Sequence, residues 1–188
     1  MRLESEIEQL YALGGEPVGI SVDPPARNAA MVGRWHLSFP IASDPGGERF
    51  LHPLDLWDDR DPRQIGIPAV IVLGPDGEEA WQHRSRDFAD RPDDADVMRA
   101  LESLHLPPLD PPRARWQPDL EAEEHPGAFR TDAFGAYHRG VMFAMAAMAG
   151  RMVDPADRAE AESLGRQASS FIDAWKQVRA RGRGRMKE

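Results

Sequence analysis

The chain has 188 residues, of which 41% are hydrophobic, with five tryptophans, no cysteine and a formal charge of −9. That is enough apolar material for one buried core, with room for an accessory piece. The acidity argues against nucleic-acid and anionic-membrane partners, which select basic surfaces, and the missing cysteines exclude disulfides, thiolate metal sites and thiol chemistry within the chain.

The opening, MRLESEIEQL, is charged and lacks the apolar centre of a signal peptide. Leu3, Ile7, Leu10, Tyr11 and Leu13 recur at helical spacing and Gly14-Gly15 stops the pattern, so a first amphipathic helix is expected. PVGISVD (residues 17–23) reads as a short buried strand. Asp23-Pro24 reads as cap and first position of a helix running to about Trp35. FPIASDPGG (39–47) reads as a brief strand and a turn, and GERFLHPLDLWDDRDP (47–62) as a short helix ending at Pro53 followed by an acidic loop.

Pro68 then introduces AVIVL (69–73), whose unbroken apolar character predicts a strand covered on both faces. GPDG (74–77) turns the chain back into EEAWQHR as a hairpin partner, and DDADVMRALESLHL (93–106) predicts a capped helix with Val97, Leu101 and Leu104 on one face. Helix, strand, helix, strand, hairpin strand, helix is an α/β order, with helices flanking a mixed sheet.

From Pro107 the character changes. LPPLDPPRARWQPDL and EAEEHPG make residues 107–127 a proline-rich connector, extended and stiff. Beyond it, a helix capped by Thr131 or Asp132 and a second opening at Asp154-Pro155 predict an antiparallel hairpin over 128–182, with a basic tail at 183–188. Its apolar run GVMFAMAAMAG (140–150) is well short of the roughly 20 residues of a membrane span, so no membrane partner is expected; with a charged start and no signal-peptide centre, the expected location is cytoplasmic. Met142, Phe143, Met145, Met148, Leu164, Phe171, Ile172 and Trp175 are more than two helices can bury alone, and Ala136, Gly140, Ala144 and Ala147 allow close approach of another helix. Docking of the hairpin on the first domain, or a homodimer through these helices, is therefore expected.

Metal and catalytic motifs are weak. His36, His52, His83, His105, His125 and His138 never fall at HxH or HxxxH spacing; Asp58, Asp59 and Asp61 do not match a calcium loop. No serine sits in a GxSxG elbow, and GPDG is no phosphate loop. The methionines of the hairpin read as packing rather than soft-metal ligands. No catalytic residue, metal or cofactor is assigned.

The ordered set EPVGISVD, FPIASDPGG and IPAVIVLGPDGEEAWQHRSRDFADRPDD resembles the later part of a peroxiredoxin-like redoxin domain of the alkyl hydroperoxide reductase/thiol-specific antioxidant family, over residues 3–106. The resemblance implies a thioredoxin-like mixed sheet, thiol-dependent peroxide reduction as the family activity, and a thioredoxin-type reductant where a cysteine is present. It also implies that Pro68 is the family's cis-proline beside the cysteine loop, and that Arg63 is the nearest candidate for its pocket arginine. The strand and loop that carry the reactive cysteine precede Met1 in the alignment of motifs, so the domain is N-terminally incomplete and Met1 is expected to be an internal methionine. Peroxide reduction needs a thiolate to attack the O–O bond, so this chain alone is expected to be inactive. The alternative is a non-catalytic scaffold for oligomerisation or binding.

Overall fold

Two short helices open the computed structural model, which describes residues 2–85, 91–109 and 119–185. They are α1 (Arg2–Ser5) and α2 (Ile7–Ala12), where the sequence suggests one helix; Glu6, with ψ near 11°, breaks it. The break separates two compact units of the chain, one built from the terminal segments Met1–Ser5 and Pro126–Glu188, the other from Glu6–His125.

In the Glu6–His125 unit, α2 ends as Gly14 and Gly15 dictate. Gly14 takes φ +75°, its N–H donates to the Tyr11 carbonyl and the Gly15 N–H to the Leu10 carbonyl, a pair of bonds that closes the helix end. Strand β1 (Gly19–Ser21) is followed by α3 (Pro25–Trp35) and β2 (Ile41–Ser43), which pairs parallel with β1 in the register Gly19–Ile41, Ile20–Ala42, Ser21–Ser43. Helix α3 starts one residue later than the sequence suggests. Pro24 is the cap, Pro25 the first helical residue, and the Asp23 carboxylate accepts from the Ser21 hydroxyl instead of a helix N–H.

Residues 47–55 form consecutive turns and no helix. The cause is Asp44, buried at 3% exposure, whose carboxylate accepts the backbone N–H groups of Arg49, Phe50 and Leu51 at 2.8–3.1 Å. A side chain that gathers three successive amides holds them away from helical partners.

Strand β3 (Ala69–Leu73) then pairs antiparallel with β4 (Glu79–Arg84), with a bulge beside Val72 and Leu73. Gly77 at φ +83° and the Asp76 carboxylate, which accepts the Glu78 N–H, shape the turn. Helix α4 (Asp94–Ser103) packs on both strands and buries Val97, Met98, Ala100 and Leu101, and its cap is the expected one: the Asp93 carboxylate accepts the Ala95 N–H at 3.1 Å. Only Val72 of β3 is fully buried and Leu73 is exposed, so the two-sided burial expected of AVIVL is not reached. The reason is in the pairing: β1–β2 and β3–β4 are separate two-stranded sheets, and among the described residues no ladder joins them. The architecture is mixed α/β.

The other unit is a helical hairpin, α5 (Phe134–Ala149) against α6 (Pro155–Arg185), with α1 also on α6. Ala161, Leu164, Ala168, Phe171, Trp175 and Val178 follow a three-four spacing along α6, the pattern that keeps one seam facing a partner helix. Phe134, His138, Met145 and Ala149 supply the facing side of α5. A Cβ on Gly165 would stand 3.5 Å from the Met145 Cβ, so the helices approach closely there. Asp154 caps α6 as expected, accepting the Ala156 N–H at 2.7 Å. The cap expected of Thr131 or Asp132 does not form: α5 starts after Ala133, and the Asp132 carboxylate holds the Arg130 guanidinium. Residues 110–118 of the proline-rich connector and 186–188 of the basic tail lie outside the described residues; positions 183–185 continue α6. No described helix is long and apolar enough to cross a membrane.

Candidate functional site

Pro68 stands immediately before β3, and its carbonyl accepts the Ser85 N–H at 2.8 Å, which extends the β3–β4 pairing by one bond. His83 of β4 and Ser85 just after it lie on the same side, and the buried Ser85 hydroxyl makes no hydrogen bond among the described residues. Arg63 lies elsewhere. It is an exposed residue whose Nε donates to the Asp61 carboxylate at 2.9 Å, and that guanidinium, with the Arg63 backbone N–H, draws the Asp61 carboxyl down to about 2. Asp58 accepts the Arg60 N–H in the same loop. The acidic loop is thus a set of local side-chain turns, and Asp61 holds the Arg63 guanidinium.

The Arg84 guanidinium ties β4 to this loop region by donating to the carbonyls of Leu54 and Asp55 at 3.0 and 2.6 Å. Trp57 stacks on His52 with ring centres 4.9 Å apart.

A second polar constellation, not singled out by sequence, sits at the carboxyl ends of β1 and β2. The Asn28 side-chain amide, on the first turns of α3, donates to the Ser43 hydroxyl at 2.8 Å and to the Asp23 carbonyl at 3.2 Å. This fixes both strand ends to the helix and leaves the Ser43 proton free to point elsewhere. Ser43 opens onto a shallow cavity of about 400 Å³ with Pro25, Ile41, Arg49, Phe50 and Leu120. The signal in the sequence was an asparagine one turn into a helix that opens on two prolines. Ends of parallel strands are where α/β sheets place ligands, but the prolines at the α3 start remove the amide donors an anion would need. A comparable cavity of about 380 Å³ lies between α2 and α4, lined by Glu6, Gln9, Asp94, Met98, Arg99 and Glu102.

Asp44 is a buried carboxylate of this unit held by three backbone amides. Burial alone would raise its carboxyl; the amides of Leu51, Phe50 and Arg49, with His52 nearby, outweigh that and hold it below the ordinary carboxylate value. A carboxyl lowered by folding contributes stability above its unfolded value, near pH 4, that is lost as pH falls through the lower folded value. Asp44→Asn is therefore expected to reduce the thermal midpoint at neutral pH by several degrees, on the order of 5 °C, and to flatten the acid limb of the stability profile below about pH 4, measured by circular dichroism melts from pH 2 to 7.

Among the described residues no group of three or more His, Asp or Glu side chains gathers at metal-binding distance. In the hairpin unit, His138 packs among Phe134, Tyr137 and Phe171, and its burial lowers the imidazole below the usual histidine value. No family model, no curated protein and no solved structure matches the chain.

Proposed function

We propose that residues 6–109 are a redoxin-type domain, peroxiredoxin-like and of thioredoxin-like architecture, that lacks the strand and loop bearing the reactive cysteine. The observation that carries this reading is the strand pairing. A parallel β1–α3–β2 unit, an antiparallel β3–β4 hairpin entered at Pro68 and a following helix on that hairpin come in the chain order the resemblance implies, and among the described residues no ladder joins the two sheets. The resemblance implies a further strand between β1 and β3, and on this reading its absence leaves the two sheets unjoined. The family's role is thiol-dependent reduction of hydroperoxides: the thiolate attacks one peroxide oxygen and becomes a sulfenic acid as the O–O bond breaks and water or alcohol leaves; a thiol condenses with the sulfenic acid to a disulfide, releasing water, and a second thiol reduces that disulfide back to the starting thiol. With no cysteine in the chain, the nucleophile has to come from residues outside it.

The test is a hydroperoxide-consumption assay run on two proteins, this chain and the same chain preceded by the in-frame residues encoded ahead of Met1. No consumption above background is expected of the first with dithiothreitol or thioredoxin, and multiple turnovers of the second. Turnover by the cysteine-free chain, or an upstream sequence with neither an apolar strand nor a cysteine at a helix start, overturns the reading.

A second reading, assembly through the helical hairpin, is favoured by one specific observation. Helix α5 leaves large apolar side chains exposed, with Phe143 71%, Tyr137 46% and Met148 45% exposed. On this reading the chain works as a non-catalytic oligomerisation scaffold, and its partner is a second copy of itself.

A further inference from the structure

We infer that α5 pairs antiparallel with α5 of a second copy about a two-fold axis passing between Gly140 and Phe143; this rests on the assembly reading and adds the register. Ala136, Gly140, Phe143 and Ala147 fall within an arc of about 60° on the side of α5 opposite the α6 seam. Three of the four are small enough to admit a neighbouring backbone, and the fourth is the most exposed aromatic of the unit. Between Phe134 and Ala149 the only formal charge is Arg139, so nothing along this face opposes burial except at its rim.

A helix face with one large knob and several small positions can pair with itself only where the knob meets a hole. Setting the axis between residues 140 and 143 brings Phe143 of one copy opposite Gly140 of the other, twice, by symmetry. It levels Ala136 with Ala147 of the second copy and lays Tyr137 beside the second copy's Ala144 and Met148, an aromatic ring on a small residue and a thioether. The same register levels Arg151, just beyond the C-terminus of α5, with Asp132, just before the N-terminus of the second copy's α5. Arg151 is exposed and has no carboxylate partner among the described residues. Asp132 holds Arg130 on one side and presents its exposed carboxylate to solvent on the other. Knob against glycine at the centre and opposite charges at both ends come from one choice of axis.

From residue 132 to 151 the face is about 30 Å long. A single helix pair of that length is small beside the interfaces of stable dimers, so the dimer is expected to be concentration-dependent.

The absence of native cysteine makes the register directly measurable in the full chain. Residues level with one another across the pair bring their Cα atoms within disulfide reach, and residues far from the axis do not reach their own copies. Under mild oxidation a mixture of Ala136→Cys and Ala147→Cys proteins is expected to give a disulfide-linked dimer, while either variant alone gives little. Light scattering over a concentration series is expected to show the unmodified chain passing from monomer to dimer. Arg151→Asp is expected to weaken association roughly tenfold and Asp132→Arg/Arg151→Asp to restore most of it. Efficient self-linking of Ala136→Cys alone would overturn the antiparallel register and leave assembly standing. A chain monomeric at every concentration, with no cross-link in any mixture, would overturn both.

Discussion

Trp175→Ala is expected to destabilise the α5–α6 hairpin by about 3–5 kcal/mol, the range for removing a buried aromatic from a packed interior. Trp175 is buried in the seam of α6, with its ring centre 6.1 Å from that of Phe134 in an edge-on arrangement and the Arg179 guanidinium 5.7 Å above it. Those contacts join the start of α5 to the last turns of α6, where the hairpin has no further layer from α5 to fill a void. Amide hydrogen exchange in α5 and α6 reads the effect: protection in both helices should fall by a factor of 100 or more. Exchange unchanged from the parent chain would mean that Trp175 is not part of a cooperative core.

Gly14→Ala is expected to cost the Glu6–His125 unit about 2–4 kcal/mol. One part is conformational, about 1–2 kcal/mol for a residue with a Cβ in the left-handed region. The other is steric: a Cβ at Gly14 would stand 2.6 Å from the Pro107 carbonyl oxygen and 2.8 Å from the Leu106 Cβ, so backbone must move. Gly77→Ala separates the two parts. Gly77 has φ +83° and open space where a Cβ would stand, so that variant should show the conformational part alone. Urea denaturation of both variants measures the difference; equal losses would show that the approach of residues 106 and 107 to the α2 terminus carries no strain.

Local chemistry with a single physical outcome was legible in the sequence. Gly14-Gly15 could only end a helix, Asp93 and Asp154 each had a free amide two residues on, and the glycine of GPDG could take the positive φ of its turn. The misses were competitions that spacing does not decide. Asp23 had a serine hydroxyl within reach and Asp132 an arginine, and each carboxylate took that partner while the helix began one or two residues later. Residues 47–53 carry a helical composition, but Asp44, several residues upstream, collects their amides. The apolarity of AVIVL announces a strand, not how many neighbours it has, so its half-exposure follows from the pairing of β3 with β4 alone. At the candidate site, the position of Pro68 before a strand was legible. The isolation of Arg63 was not, because Asp61, two residues away, captures it in a contact no motif describes. The Asn28–Ser43 bond was equally hidden, since it joins residues fifteen positions apart through the geometry of a crossover.

The terminal segments share one compact unit, with α1 at the beginning of the chain packed on α6 at its end. A ribosome makes these partners in the worst order. At about 5–20 residues per second, α1 emerges and waits on the order of 10 s before α6 exists to receive it. The residues between them form a unit of their own and can fold during that wait, which shortens the effective loop and lowers the entropy lost when its ends meet. Leu3 and its neighbours are therefore without their α6 partner throughout synthesis of the middle of the chain, and that interval is when nascent-chain chaperones have their longest access to them.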